Sequence, residues 1–382
     1  MLTNADIAEL TDWRRDLHRA PEVSGDEAQT AARVTAALAQ TRPDTVLTGL
    51  GGHGVAAIWN SRKPGPTVLF RAELDALPIE ELGTPDWRST LPGRGHMCGH
   101  DGHMAILMAL ARLLSRNRPP TGRVILLFQP AEETGAGAAA VLADPRYATI
   151  KPDWAFALHN MPGLPLGHAT LRTGTMMCAS QGLRILLTGK TAHASMPETG
   201  LSPVNTVARL IPALLALGPG GPLTEDFRMI TITHIRIGEA AFGIAPGSGE
   251  VWAKLRTRDD APMAALYTEA CALIRAEAAR DGLQVDFLTQ DAFAATVNDA
   301  DAITCLTRAL EALNMTHDDR NLPLRGSEDF GRFGGSGTKM AMLFVGSGEK
   351  HPQLHNPDYD FPDALIPIGA RLFHRVMTDL LG

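Results

Sequence analysis

Within eight residues, His96-Met-Cys-Gly-His-Asp-Gly-His103, the chain sets one thiol, three imidazoles and one carboxylate side by side. Divalent ions of borderline softness accept thiolate sulfur and imidazole nitrogen together, and the intervening glycines let the backbone fold both onto one ion. Cys98 and His100 are the expected pair of ligands. Asp101 and His103 are expected behind them, orienting the ligands, with His96 only a neighbour. The plainer reading is a small buried cysteine beside histidines satisfied by carbonyls. Against it stands the number of ionisable groups, which a closed apolar core does not tolerate together.

The remaining candidates follow apolar runs. Residues 67–72 read as a buried strand that delivers Glu73 and Asp75, and Asp75 is expected to orient a ligating imidazole. Residues 123–129 read as another, ending in Pro130-Ala-Glu-Glu-Thr-Gly135. Adjacent side chains at a strand end point opposite ways. Glu133 can then face a metal while Glu132 faces the water to be activated, as general base. A strand over 154–158 delivers His159, and His355 lies in a loop beyond a strand over 340–345. Each has a bland alternative: a solvated glutamate pair, a turn-capping aspartate, a strand-end or loop histidine. The functional reading gains because strand ends in an open α/β sheet meet along one edge. His18, ending the first helical pattern, reads as structural and bonded to carbonyls. Cys98, His100, Glu133, His159 and His355 exceed what one tetrahedral zinc takes, so two metals sharing a ligand is the simplest arrangement.

The elements that must position these groups are helical stripes over 7–17 and 26–38, strands at 55–59 and 67–72, and a helix over 104–114. Residues 173–179 are small and irregular, the expected hinge. From 181 the order becomes strand 183–188, helix 203–217, strands 227–237 and 249–257, helix 262–280, strand 283–288, the βαββαβ order of a ferredoxin-like unit. The α/β pattern resumes beyond 298. The expected organisation is a discontinuous catalytic domain, 1–179 and 296–382, with a mixed central sheet flanked by helices, and an inserted domain, 180–295. The insert carries His193 in Gly189-Lys-Thr-Ala-His-Ala-Ser-Met-Pro197 and Arg256 on a strand; either could equally be an ordinary surface charge.

Two domains suit 382 residues, and 45% hydrophobic with 20% charged residues is ordinary globular composition. A net charge of −7, with scattered Lys and Arg, leaves no footprint for nucleic acid. No apolar run reaches membrane-spanning length and the N-terminal segment lacks a signal core, so a cytoplasmic protein without membrane contact is expected. Cys98, Cys178, Cys271 and Cys305 show no framework spacing.

Several motifs, in order, carry a family resemblance over essentially the whole chain: Leu17-His-Arg-Ala-Pro-Glu22, Arg71-Ala-Glu-Leu-Asp-Ala-Leu-Pro78, Cys98-Gly-His-Asp-Gly-His103, Gln129-Pro-Ala-Glu-Glu133, Leu158-His-Asn160, Ser327-Glu-Asp-Phe330 and the surroundings of His355. The chain resembles the M20 metallopeptidases, in particular their amidohydrolase branch of hippurate, auxin-conjugate and N-acyl-amino-acid hydrolases. The resemblance implies a metallopeptidase-type catalytic domain with an inserted dimerisation domain. It implies two divalent ions, manganese or zinc ahead of nickel or cobalt, on Cys98, His100, Glu133, His159 and His355, with Cys98 bridging. It implies Glu132 as the base that also protonates the leaving amine, and a homodimer or dimer of dimers in which His193 polarises the scissile carbonyl of a partner subunit. Arg256 matches a residue that holds the substrate carboxylate. One departure is Gly243, before Ile244-Ala-Pro246, where relatives often carry Asn. The expected reaction is hydrolysis of small N-acyl amino acids. The rivals are a dipeptidase or aminopeptidase, for which Glu73 or Glu328 could meet the free amine, and a non-catalytic metal-binding module.

Overall fold

Apolar runs too continuous to leave one face in water become central strands, and their polar last residues emerge together at one edge. The computed structural model describes residues 1–382, the side chain of Ser336 excepted. The chain forms two units: Met1–Met176 with Thr296–Leu322 and Glu328–Gly382, and Met177–Ala295 with Pro323–Ser327.

The first unit holds an eight-stranded mixed sheet. Its first five strands are β1 (Thr45–Leu50), β2 (Gly54–Asn60), β3 (Thr67–Glu73), β4 (Arg123–Gln129) and β5 (Trp154–Pro162). In space they run β1-β2-β4-β3-β5, followed by Lys339–Gly348, Ala169–Thr170 and His317–Asp318. Strands β4, β3, β5 and Lys339–Gly348 are mutually parallel, so Gln129, Glu73, His159 and the loop beyond Gly348 come out at the same edge. Every residue of β3 is buried, Arg71 included. Strand β1 was not foreseen: its pattern lacks apolar alternation, and its register shifts between Thr48 and Leu50.

Helix His100–Arg116 lies in the core, with nearly every side chain buried. It starts behind Gly99, whose φ of 88° is open to glycine at little cost. A Cβ on Gly102 in its first turn would overlap the Phe361 ring, so this glycine allows a close approach. Helix Leu365–Leu381 and the opening helix Asn4–His18 pack on the same helix. Thr3 and Asp6 close the opening helix with a reciprocal capping box.

The second unit is an antiparallel four-stranded sheet in the order Arg228–Ile237, Ser248–Thr257, Ala179–Thr188, Gln284–Phe293. Helices Val204–Leu217 and Asp260–Arg280 supply their apolar faces to its core. This is the ferredoxin-like arrangement. Two details differ from expectation. The segment 173–179 is not irregular, since Gly174–Met177 pairs with Thr296–Asn298 and Ala179 already opens a long strand. The second unit also takes in Pro323–Ser327, read from sequence as part of the catalytic domain. Hydrogen bonds explain this: Cys178 N–H donates to Gly326 O at 2.9 Å, and Arg256 Nη1 donates to Arg325 O and Ser327 Oγ at 2.7 and 2.8 Å.

Candidate metal centre

Two donor triads meet at one sulfur. Cys98, His100 and His159 offer donor atoms within 4.8 Å of one another, and so do Cys98, Glu133 and His355. The five side chains reach this point from the loop and first turn before helix His100–Arg116, the turn after β4, β5 itself and the loop after Lys339–Gly348. Cys98 Sγ is 3.3 Å from His159 Nε2, and His355 Nε2 is 3.6 Å from Glu133 Oε1. His355 has φ 66° and donates its N–H to Met97 O at 2.8 Å, which ties its loop to the Cys98 segment.

Backbone carbonyls decide the ring tautomers. His100 Nδ1 donates to Asp75 O at 2.8 Å, and His159 Nδ1 donates to Asn160 O at 2.8 Å. The neutral form of each ring carries its lone pair on Nε2, the atom nearer the cluster; burial disfavours charge on His100, but the Glu73 and Asp75 carboxylates override it and raise it to about 10. His100 Nε2 and Glu133 Oε1 are buried and without a hydrogen-bond partner among the described residues. Orphaned polar atoms of this kind are costly unless a partner takes them up, and a cation would satisfy Glu133 Oε1 and the neutral form of His100 alike. Burial and the Glu133 and Glu132 carboxylates push the Cys98 thiol well up, and burial raises Glu133 to about 7 against the pull of His100. Glu132 rises well above the ordinary range through burial and the neighbouring Glu328 carboxylate. A donor set of one thiol, three imidazoles and one carboxylate, with Cys98, His100 and His159 buried, Glu133 partly buried and His355 exposed, fits divalent cations. Its mixed S, N and O donors suit a transition-metal ion better than calcium.

Glu132 stands beside this set, its Oε2 3.9 Å from His100 Nε2. Asp75 meets the His100 ring through its backbone carbonyl and not its carboxylate: its Oδ2 accepts Glu133 N–H at 3.0 Å and Ser24 Oγ–H at 2.7 Å, and its Oδ1, 3.5 Å from His100 Nδ1, has no hydrogen-bond partner among the described residues. His103 lies 2.6 Å from both Glu73 Oε2 and Asn160 Oδ1, and its ring packs edge-on against His159. Asp101 contacts no donor of either triad. It is paired with Arg14 at 3.0 Å and His18 Nδ1 at 2.8 Å, one helix face away from His100. His18 is structural as expected, but carboxylates of Asp101 and Glu81 satisfy it, not carbonyls. His96 is buried with neither ring nitrogen bonded among the described residues, and burial drives it down to about 3, a neutral neighbour.

Sequence reasoning missed the hub behind Glu132. Arg71 bonds Gln129 Oε1 at 3.1 Å, Glu328 Oε1 at 2.8 Å and Asp329 Oδ1 at 2.7 Å, and also Glu73. Glu132, Glu328 and Asp329 cluster within 4.8 Å. The signal was present: a charge inside an otherwise apolar strand must find partners. Glu73 and Glu328, the carboxylates that could have met a substrate amine, are both paired with this arginine and buried.

In the second unit, His193 is exposed on a short strand paired with Ile244–Ala245. Ser195 N–H donates to His193 Nδ1 at 3.1 Å, which leaves the proton of the neutral ring on Nε2. Burial depresses the Arg256 guanidinium. Gly243 O accepts Ala194 N–H at 3.0 Å, so position 243 supports the His193 loop through its backbone.

This donor set and fold define a metallohydrolase, and the chain belongs to peptidase family M20/M25/M40, whose model matches residues 69–379. An N-acetylcysteine deacetylase of Bacillus subtilis is 27% identical over 376 residues, covering 97% of each chain. A hippurate hydrolase of Campylobacter jejuni is 27% identical over 370 residues, covering 96% of this chain and 95% of its own. A solved dinuclear metal-binding M20 peptidase of B. subtilis shares the fold with a TM-score of 0.82 at 24% identity, covering 100% of this chain and 99% of that one. Among the described residues no helix is long and apolar enough to cross a membrane.

Proposed function

We propose that the chain hydrolyses the amide bond of N-acyl amino acids, with acetyl, benzoyl or aryl-acetyl acyl groups, to a carboxylate and a free amino acid. Cys98, His100, Glu133, His159 and His355 would hold two divalent ions, manganese or zinc by preference, with nickel or cobalt compatible with the same donors. The observation that carries the reading is the sharing of Cys98 Sγ by two donor triads with Glu132 alongside. When bound, such a pair of ions lowers the pKa of water and polarises an amide carbonyl.

The residues then divide the work. A Glu132 carboxylate oxygen takes the proton of the attacking water and returns it to the leaving nitrogen. His193, with its proton on Nε2, donates to the oxygen that gains charge as the carbonyl becomes tetrahedral. In this reading it does so from the partner subunit of a homodimer, the second unit being the dimerisation domain. Arg256 takes the substrate carboxylate, its guanidinium plane held by Arg325 O and Ser327 Oγ. The commitment of Glu73 and Glu328 to Arg71 favours an acylated substrate over one with a free amine. The four free, buried cysteines suit a reducing, cytoplasmic setting.

The test is release of free amino acid from N-acetyl, N-benzoyl and indole-acetyl amino acids and from dipeptides, using metal-stripped protein with and without manganese or zinc. Metal-dependent release from acylated substrates is expected; release from dipeptides alone would replace the reading with a peptidase. Mixing inactive Glu132→Gln and His193→Ala subunits should restore activity if His193 acts across subunits, and continued silence would remove that role.

A further inference from the structure

Glu27 is fully buried, immediately before helix Ala28–Ala39, and touches no donor of either triad. Its Oε1 accepts Gly25 N–H at 2.9 Å and, from a distant part of the chain, Ala131 N–H at 2.8 Å. Ala131 precedes Glu132 and has φ 49°. A residue with a Cβ holds that left-handed conformation only where its surroundings impose it. The turn is gripped on both sides. Ala131 O accepts Gly137 N–H at 3.0 Å, and Glu133 N–H is held by Asp75 at 3.0 Å. Among the described residues no hydrogen bond fixes the Glu132 carboxylate itself, so its aim is set by the backbone that carries it.

We propose that Glu27 is a positioning residue for Glu132: by capturing Ala131 N–H it keeps Ala131 left-handed and so directs the two adjacent glutamates to opposite duties. The proposal rests on Glu132 being the base. Angstrom-scale misplacement of a reacting group costs up to about a hundredfold in rate, and that is the scale at stake.

Three variants and one exchange measurement test it. Glu27→Asp keeps charge and burial but draws the acceptor back from Ala131; kcat should fall about 10–100-fold with KM within about twofold. Glu27→Gln keeps an acceptor at the same reach and should stay within about threefold of the native kcat. Adding Ala131→Gly to Glu27→Asp should recover most of the loss, because glycine adopts positive φ unaided. A residue that merely stabilised its helix would not be rescued there. Hydrogen exchange of metal-free protein over 129–135 should be about tenfold or more faster in Glu27→Asp. Native kcat in Glu27→Asp, equal losses in the Asp and Gln variants, or a loss that Ala131→Gly leaves untouched would overturn the proposal. If the native chain hydrolyses no N-acyl amino acid, the functional reading fails instead. The exchange measurement then decides the clamp alone, and unchanged exchange over 129–135 overturns it.

Discussion

Cys98 Sγ lies 3.3 Å from His159 Nε2 and is also grouped with Glu133 and His355, so one sulfur serves two donor sets. Removing it should therefore damage both. Cys98→Ser is expected to retain well under one ion per chain, whereas His159→Ala or His355→Ala should retain roughly one. Elemental analysis after gel filtration reads the difference; two ions retained by Cys98→Ser would show that the sulfur is not shared.

Glu132 lies outside both triads that share Cys98 but groups with His100 and Glu133, so the test of its role as base is whether its loss spares metal binding. Glu132→Gln preserves shape and removes the proton acceptor, so metal content should hold while kcat falls about 10²–10⁴-fold. Side-by-side turnover and metal analysis check this, and substantial residual turnover would take the base role from Glu132.

Arg71 is the one guanidinium that pairs with all of Glu73, Glu328 and Asp329 among the described residues of the buried hub. Arg71→Met would strand those carboxylates and should destabilise the protein by about 3–5 kcal/mol. Urea unfolding of the metal-free protein measures it; a loss below about 1 kcal/mol would mean that the hub does not depend on the guanidinium.

His18 gives a stability effect with a definite sign. Burial disfavours its charged ring, but the Asp101 carboxylate overrides this and raises it to about 9. A raised pKa contributes stability fully below the unfolded value near 6.5, and that contribution is lost as pH climbs through about 9. The native protein should lose more thermal stability between pH 7 and 9.5 than His18→Gln, by on the order of 2–3 kcal/mol. Parallel pH dependences of Tm in the two proteins would contradict the imidazolium.

The sequence by itself determined the local elements and the chemistry available at their ends. Apolar runs with polar last residues at Glu73, Gln129 and His159 read as buried strands, and the parallel sheet makes them share an edge. The βαββαβ order of the second unit was likewise visible, because alternation and helical stripes are properties of short windows. Strand β1 escaped for the same reason, its Thr-rich edge pattern carrying little apolar signal. Only the tertiary structure decided which charges meet. Arg71 finds Glu328 and Asp329 more than 250 residues away, Asp101 turns to Arg14 and His18, and Glu27 reaches Ala131 across 104 residues. Such pairings leave no periodic trace in the chain. Burial demands that each charge be satisfied, but the partner is chosen by which strands and helices pack side by side, and that is a property of the assembled core.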